Sequence, residues 1–464
     1  MHDFSDSVFL QILDFFALCC TPVMLLVCGL ILSGTIRIHR LLHPVRFWKT
    51  LGDIPPESRT TPMKAVTMAL AGTLGVGNIT GVSAAILQGG TGAVFWMWAG
   101  ALFSMAVKYG EVALAVMYRK KTTAGKWYGG MMYVIRDGLG KRLSQGAAWL
   151  SGGIFAVLCL LNSLITGNIV QSNAAADVLH PLPEWMGGLL LTGLTAAALA
   201  YGIGKVGDIT LRLVPGMTLV FILLSLWIIL GNLELIPSIL REIVSNAFSL
   251  PALGGGITGL GCRAFFHHLS RHGLVPSLRY GITRGIFSNE AGCGTSPCAH
   301  ASADTKSPYH QGCWGIFEVI CDTLILCTMT ALVICIGDRR YGILSSADEN
   351  LSLRAFQVFG GNWVYGIMAG MVAVFAYATI LAQMYYGSTA IGYFTKAKLP
   401  QVLYSLLALF CVFAGAVMEP GIMWRLADGI VCIMTCLNTM VLLLLRQEIR
   451  DTVDQPDSSS SRIC

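Results

Sequence analysis

Long apolar runs, separated by short basic or glycine-rich stretches, fill the chain from end to end. Runs of about twenty apolar residues suit helices that cross a bilayer. The pattern predicts spans near 8–36, 93–117, 147–177, 186–203, 211–232, 312–337, 362–391, 399–418 and 423–446. Two further apolar segments, 62–88 and 276–304, are of a different kind. The first contains Gly72-Thr73-Leu74-Gly75-Val76-Gly77-Asn78, the second Ser288-Asn289-Glu290-Ala291-Gly292-Cys293-Gly294-Thr295-Ser296-Pro297. Each glycine inside a helix costs roughly 1 kcal/mol against alanine. A membrane helix that opens must also have its freed N–H and C=O groups met by protein, water, an ion or a substrate. Both segments are therefore predicted to be interrupted helices. The competing reading is that their glycines serve only close helix packing.

Between the runs, the local signals are specific. Thr61-Pro62 reads as an N-cap followed by a first-turn proline. Gly89-Gly90-Thr91-Gly92 reads as a tight turn, and Pro22 as a kink in the first span. The region 233–275 is amphipathic and expected to lie along the membrane surface. Within it, Arg263 to His272 is basic, aromatic and histidine-rich, which suits an interfacial helix better than a metal site. The tail 451–464 is polar and expected to be disordered.

Only 12% of the 464 residues are charged and 55% are hydrophobic, against roughly 25% charged in soluble domains. The chain thus reads as an all-α polytopic membrane protein of about eleven transmembrane helices, a single domain over 1–450. The net charge of +6 reports topology rather than nucleic-acid binding. Arg37, Arg40, Arg46, Lys49, Arg119, Lys120, Lys121, Lys126, Arg446 and Arg450 fall on one side when spans alternate. The positive-inside rule puts that side in the cytoplasm, with the N-terminus outside and the C-terminus inside a cell membrane. The fifteen cysteines lie mostly in apolar runs and read as small buried hydrophobes rather than disulfides or metal ligands. Met1 to Ser7 is acidic, so no cleavable signal peptide is expected.

The first span stands outside a ten-span core. Split into halves at 62–232 and 276–446, each half begins with a broken helix, and the two are opposite in orientation. Paired interrupted segments of this kind mark the binding site of secondary transporters built on inverted repeats. A half-helix N-terminus presents N–H groups and a positive dipole end, which suit a carboxylate. Unwound carbonyls near Ala71, Thr73 and Leu74 suit a hard cation such as sodium. Asn78, Ser288 and Asn289 add neutral oxygens, so the set favours a zwitterionic amino acid with a monovalent cation.

Several polar residues inside spans carry two readings each. Glu290 is an intramembrane acid and functional by default; the structural alternative is an ion pair with Arg284. Asp322 is open to three readings: cation ligand, proton site or buried structural acid. Lys108 and Glu111, three residues apart, are expected to pair with each other. Gln171-Ser172-Asn173 is either a pocket wall or a source of interhelical hydrogen bonds. Phe375, Ala378, Thr379 and Gln383 share one helical face. The Thr379 hydroxyl either completes a sodium site or bonds back to its own helix.

At these residues the chain resembles the alanine or glycine:cation symporter family. The matching stretches are Gly72 to Val82, Gly89 to Trp98, Gln171-Ser172-Asn173, Val214-Pro215 and Arg284-Gly285-Ile286-Phe287-Ser288-Asn289-Glu290-Ala291-Gly292. Asp322-Thr323, Tyr385-Tyr386-Gly387 and Leu426-Ala427-Asp428 also fit. The resemblance implies a leucine-transporter-like fold, a five-plus-five inverted repeat with one extra N-terminal helix. It implies sodium-coupled uptake of alanine or glycine, with no organic cofactor. Carried over by motif, the substrate pocket uses Gly75, Gly77, Asn78, Gln171, Phe287, Ser288, Asn289 and Gln383. The sodium site uses Ala71, Thr73, Leu74, Asn78, Phe375 and Thr379. The chain departs from the family pattern at Val76, Ala378 and Gln383, where the family usually has Thr, a hydroxyl residue and Trp. Gln383 in particular implies a wider and more polar pocket.

The expected partners are thus a small amino acid, sodium and the lipid bilayer, with no nucleic acid. Coupling to protons through Glu290 or Asp322 is the alternative on the same fold. An intramembrane enzyme requires a convergent nucleophile, base or metal set inside the spans, and a channel requires a repeated pore-loop pattern. The sequence displays neither.

Overall fold

The structure, a computed structural model, describes residues 21–53, 60–123, 125–179, 182–202, 205–248, 274–346 and 350–455. Helix α1, Thr21–Ile36, is followed by two short helices, Ile38–Leu41 and Pro44–Gly52. The first interrupted segment then comes as α2, Pro62–Thr73, and α3, Thr80–Gly89. Thr61 caps α2, its hydroxyl accepting from the Lys64 N–H at 3.1 Å, with Pro62 in the first turn. This cap satisfies one of the free donors at the helix start. The chain turns at Gly90, whose φ of 72° needs no Cβ clash to be avoided, and enters α4, Gly92–Met117.

Next come α5, Gln145–Val178, α6, Glu184–Ala200, and α7, Val206–Leu230, which carries Pro215 in its interior. Helix α8, Ile236–Ala247, is amphipathic: Ile239, Ile243 and Ala247 are buried and its other face carries Arg241 and Glu242. The second interrupted segment is α9, Leu274–Asn289, then an open stretch, then the single turn α10, Pro297–His300. The chain continues as α11, Pro308–Tyr341, α12, Leu351–Phe394, α13, Lys398–Val417, α14, Pro420–Leu444, and α15, Arg446–Asp454. Gly361, at φ 70°, breaks α12 into two helices, close to the predicted start at 362.

Among the described residues, seven helices are long and apolar enough to cross a membrane, and α1 and α6 are shorter apolar helices. The described residues are all-helical apart from loops and one two-residue strand pair, Lys120–Lys121 against Trp127–Tyr128. Helix α4 runs through the middle, packed on α1, α9 and α11. Both α2 and α5 pack on α12. Many apolar side chains of α5, α6, α7 and α13 face outward, among them Trp149, Leu190, Trp227 and Phe410. A belt of that kind is what lipid covers.

One expectation changes here. Residues 451–454 are helical, not disordered: Ile449 and Thr452 are buried, and the Tyr109 and Thr452 hydroxyls are 2.9 Å apart. The tail's amphipathic pattern gives it an apolar stripe to dock, which outweighs its polar composition. The loop 119–142 contains the strand pair and a helix, Met131–Leu139. The first part of the predicted span 8–36, the segment 263–272 and the tail beyond 455 lie outside the described residues.

Candidate functional site

Both predicted interruptions are real breaks in the helices. In the first, α2 ends at Thr73, and Val76–Asn78 forms one turn of 3-10 helix before α3. In the second, α9 ends at Asn289, and Glu290, Gly292 and Gly294 have φ of 50°, 89° and 75°. Glu290 is one of two non-glycine residues with positive φ among those described. A left-handed acid held inside a protein is unusual and marks an over-determined position.

The two breaks converge on Asp322, in a π-helical stretch, Ile320–Cys327, in the middle of α11. The Asn78 amide donates to Asp322 Oδ1 at 2.7 Å, and the Ser288 and Thr323 hydroxyls donate to Asp322 Oδ2 at 2.8 and 2.7 Å. Asn289 Nδ2 donates to Thr323 Oγ1 at 3.0 Å, and Thr330 Oγ1 donates to the Asn78 carbonyl at 2.8 Å. All these side chains are buried, and Asn78 Oδ1 has no hydrogen-bond partner. The π-helix supplies the reason for the placement: one extra residue in the turn swings successive side chains toward a shared centre.

A second cluster surrounds Gly75. A Cβ on Gly75 would lie 2.7 Å from Thr379 Oγ1 and 2.8 Å from Gln171 Oε1, so only a bare backbone fits there. Gln171 Oε1 accepts from the Val76 N–H at 3.2 Å. Thr379 Oγ1 is 2.9 Å from the Ala71 carbonyl and 3.1 Å from that of Phe375. The sodium-site and back-bonding readings of Thr379 thus share one hydroxyl. Leu74 and Phe375 are buried beside it. Thr73 is less available: its carbonyl accepts from the Gly75 N–H at 2.8 Å, and its hydroxyl returns to its own helix. Gly77 sits in van der Waals contact range of Phe287 and Ser288. Phe287 packs on Trp424 with ring centroids 5.3 Å apart.

Glu290 does not pair with Arg284. Its Oε1 accepts from Gln383 Nε2 at 2.7 Å and its Oε2 from Thr295 Oγ1 at 2.5 Å. Arg284 pairs instead with Asp428 at 3.3 Å. Glu290 stands six positions after Arg284, well off one helical face, and the helix ends before it. Lys108 and Glu111 do not pair either. Lys108 Nζ donates to Ser296 Oγ at 2.8 Å and to Glu318 at 3.3 Å, while Asn438 donates to Glu111. Glycine at 315 lets α11 close on α4, since a Cβ there would lie 3.2 Å from Lys108 Cγ. The acid on the neighbouring helix then outcompetes the one on the same helix. Glu318 also accepts from His300 at 3.0 Å.

The polar triplet divides between its two readings. Gln171 faces the Gly75 cluster, whereas Ser172 donates to the Val412 carbonyl at 2.5 Å and Asn173 to those of Gly415 and Met418. The sequence reading did not single out Thr330, Cys327, Asn162 or Ser163. Asn162-Ser163 is a polar pair within an apolar run, a signal that was there to be read. A cavity of about 920 Å³ opens at the Pro62 end of α2. Lys64, Met68, Lys126, Lys205, Tyr385 and Ser388 are among its walls.

A family model described as the sodium:alanine symporter family matches residues 2–459. An uncharacterized transporter of Bacillus subtilis, YflA, is 33% identical over 92% of this chain and 89% of its own. The sodium/alanine symporter AgcS of Methanococcus maripaludis is 32% identical over 91% of each chain. The probable sodium/glutamine symporter GlnT of Bacillus subtilis is 31% identical over 89% of this chain and 82% of its own.

Proposed function

The chain belongs to the sodium:alanine symporter family, and from that premise we propose that it is a secondary active transporter coupling sodium entry to uptake of a small neutral amino acid. It is a multi-pass membrane protein of a transporter family. Alanine and glycine are the substrates the family resemblance implies. The observation that carries the reading is the meeting of both helix breaks at Asp322, through Asn78 from one and Ser288 from the other. A buried carboxylate held by an amide N–H and two hydroxyls, with the Asn78 amide oxygen unpartnered nearby, suits a monovalent cation. A second cation position is built from the Ala71, Leu74 and Phe375 carbonyls with the Thr379 hydroxyl. The substrate's carboxylate and ammonium groups are assigned to the unwound backbone at Gly75 and Gly77, with Gln171, Phe287, Ser288 and Asn289 around them.

A ten-crossing core in two inverted halves, preceded by one extra helix to make eleven crossings, is part of this reading. So is an orientation that places the cavity at Lys64, Lys126 and Lys205 toward the cytoplasm. That cavity then serves as the release route from a closed outer side.

The test is uptake of labelled neutral amino acids into liposomes holding the purified protein. Accumulation above the outside concentration is expected under an inward sodium gradient and not under an equal potassium gradient. Uptake that follows a proton gradient and ignores sodium would assign coupling to Glu290 or Asp322 instead. Absence of any gradient-driven uptake would overturn the transport reading.

A further inference from the structure

We propose that the transported amino acid carries a side-chain carboxamide, read by Asn162, Thr166, Gln383 and Glu290. This rests on the transport reading above and replaces alanine or glycine with a narrower substrate class.

Thr379 borders Gly75, where the substrate's backbone groups are assigned. Gln383 lies one turn further on the same face, a rise of about 6 Å. A methyl side chain does not cross that gap, whereas the four-bond reach of a glutamine-type side chain does. Close approach is built in, because Gly167 of α5 lies directly against Gln383 and has no side chain to hold the helices apart.

The chemistry at the far end suits an amide. Asn162 Nδ2 donates to Gln383 Oε1 at 3.4 Å, and Gln383 Nε2 donates to Glu290 Oε1 at 2.7 Å. The site thus already brackets one carboxamide between a donor and an acceptor. Asn162 Oδ1, next to it, and Thr166 Oγ1, one turn further along α5, are buried and have no hydrogen-bond partner. Buried polar atoms are nearly always paired, and an unpaired one inside a bilayer is expensive. Helix α5 is π-helical at Ser163–Ile169. Asn162 and Gly167 both meet Gln383, and at the spacing of that wider turn Thr166, between them, is assigned to the same side. An amide offers a donor to Asn162 Oδ1 and an acceptor to the Thr166 hydroxyl. A site with unmet groups of this sort discriminates against substrates that lack them.

The experiment is sodium-driven uptake of labelled alanine, glycine, serine, asparagine and glutamine into liposomes holding the full chain. The expected result is a KM for asparagine or glutamine at least tenfold below that for alanine. The Thr166→Val variant, nearly equal in shape, is expected to shrink that ratio at least fivefold, and Thr166→Ser to restore it. Melting curves for both variants check that they fold. Preference for alanine, glycine or serine over both carboxamides would overturn the assignment while leaving sodium-coupled transport intact. So would a Thr166→Val effect that is equal for every substrate. Lack of sodium-driven uptake for all five would overturn both readings.

Discussion

Thr379 and Gln383 leave one face of the same helix a turn apart and hold different breaks. Thr379 Oγ1 donates to the Ala71 carbonyl at 2.9 Å, and Gln383 Nε2 donates to Glu290 Oε1 at 2.7 Å. One rigid helix therefore senses the state of both openings. On the proposed transport reading, a cation that took the Ala71 carbonyl from Thr379 would alter the first contact, and a shift of α12 would reach Glu290. The pair would then carry coupling between ion and substrate, as a shared element biased by both sites.

Removing the hydroxyl at 379 tests the first contact. Thr379→Val keeps the shape and deletes the oxygen, so the sodium concentration for half-maximal uptake is expected to rise at least tenfold. Thr379→Ser is expected to stay within about threefold of the parent. Sodium titration of initial uptake rates measures both. Equal sodium dependence in the valine variant would remove Thr379 from the cation site.

The second contact is tested at Gln383. Gln383→Leu leaves Glu290 Oε1 buried without its donor, a loss of roughly 1–3 kcal/mol. The detergent-solubilised protein is expected to melt several degrees lower. Adding Glu290→Gln to the same chain is expected to recover part of that loss, because the uncompensated acid is gone. A double variant that melts lower than the sum of the singles would contradict this pairing.

Much of this arrangement was legible in the residues, and what was not had a common cause. The breaks at 72–78 and 288–297 could be read because glycine clusters inside apolar runs violate a local rule of helix interiors. The face shared by Phe375, Thr379 and Gln383 followed from helical periodicity alone. Partner choice did not. Sequence proximity points Lys108 to Glu111 and offers Arg284 as one of two readings for Glu290, but their partners, Glu318 and Gln383, sit on other helices. Which helices touch depends on glycines such as Gly315 and Gly167, whose effect appears only once two helices are packed. The π-helical stretches at 163–169 and 320–327 leave no periodic signature either, yet they place Asn162 and Asp322. The docked end of the tail was missed because its mean composition is polar, while Ile449 is buried and Thr452 finds a hydroxyl partner in Tyr109.

The buried pair Lys108–Glu318 separates folding from transport. Both side chains are 0% exposed, and the acid also holds His300. Breaking a buried pair by removing one partner costs about 3–5 kcal/mol, since the other charge is left uncompensated. Lys108→Met is therefore expected to cut the yield of monodisperse protein severely. Lys108→Met with Glu318→Gln is expected to restore most of it. Fluorescence-detected gel filtration of tagged variants measures both, and equal yields for single and double variants would mean the pair has no structural role.

Gly72 gives the sharpest steric prediction. A Cβ there would stand 2.6 Å from the Tyr386 hydroxyl oxygen and 3.1 Å from a ring carbon. That hydroxyl is buried without a hydrogen-bond partner, so nothing else in the site depends on it being present. Gly72→Ala must therefore displace either α2, which carries the Ala71 carbonyl, or the Tyr386 ring. Displacing α2 moves the carbonyl by several tenths of an ångström, enough to weaken a cation site with fixed geometry. Sodium-driven uptake by Gly72→Ala is expected to fall at least tenfold. Tyr386→Phe removes the atom in the way, and the combined Gly72→Ala, Tyr386→Phe chain is expected to regain most of the lost rate. If Tyr386→Phe does not rescue, the clash is being relieved elsewhere and the close packing of α2 on α12 does not set the ion site.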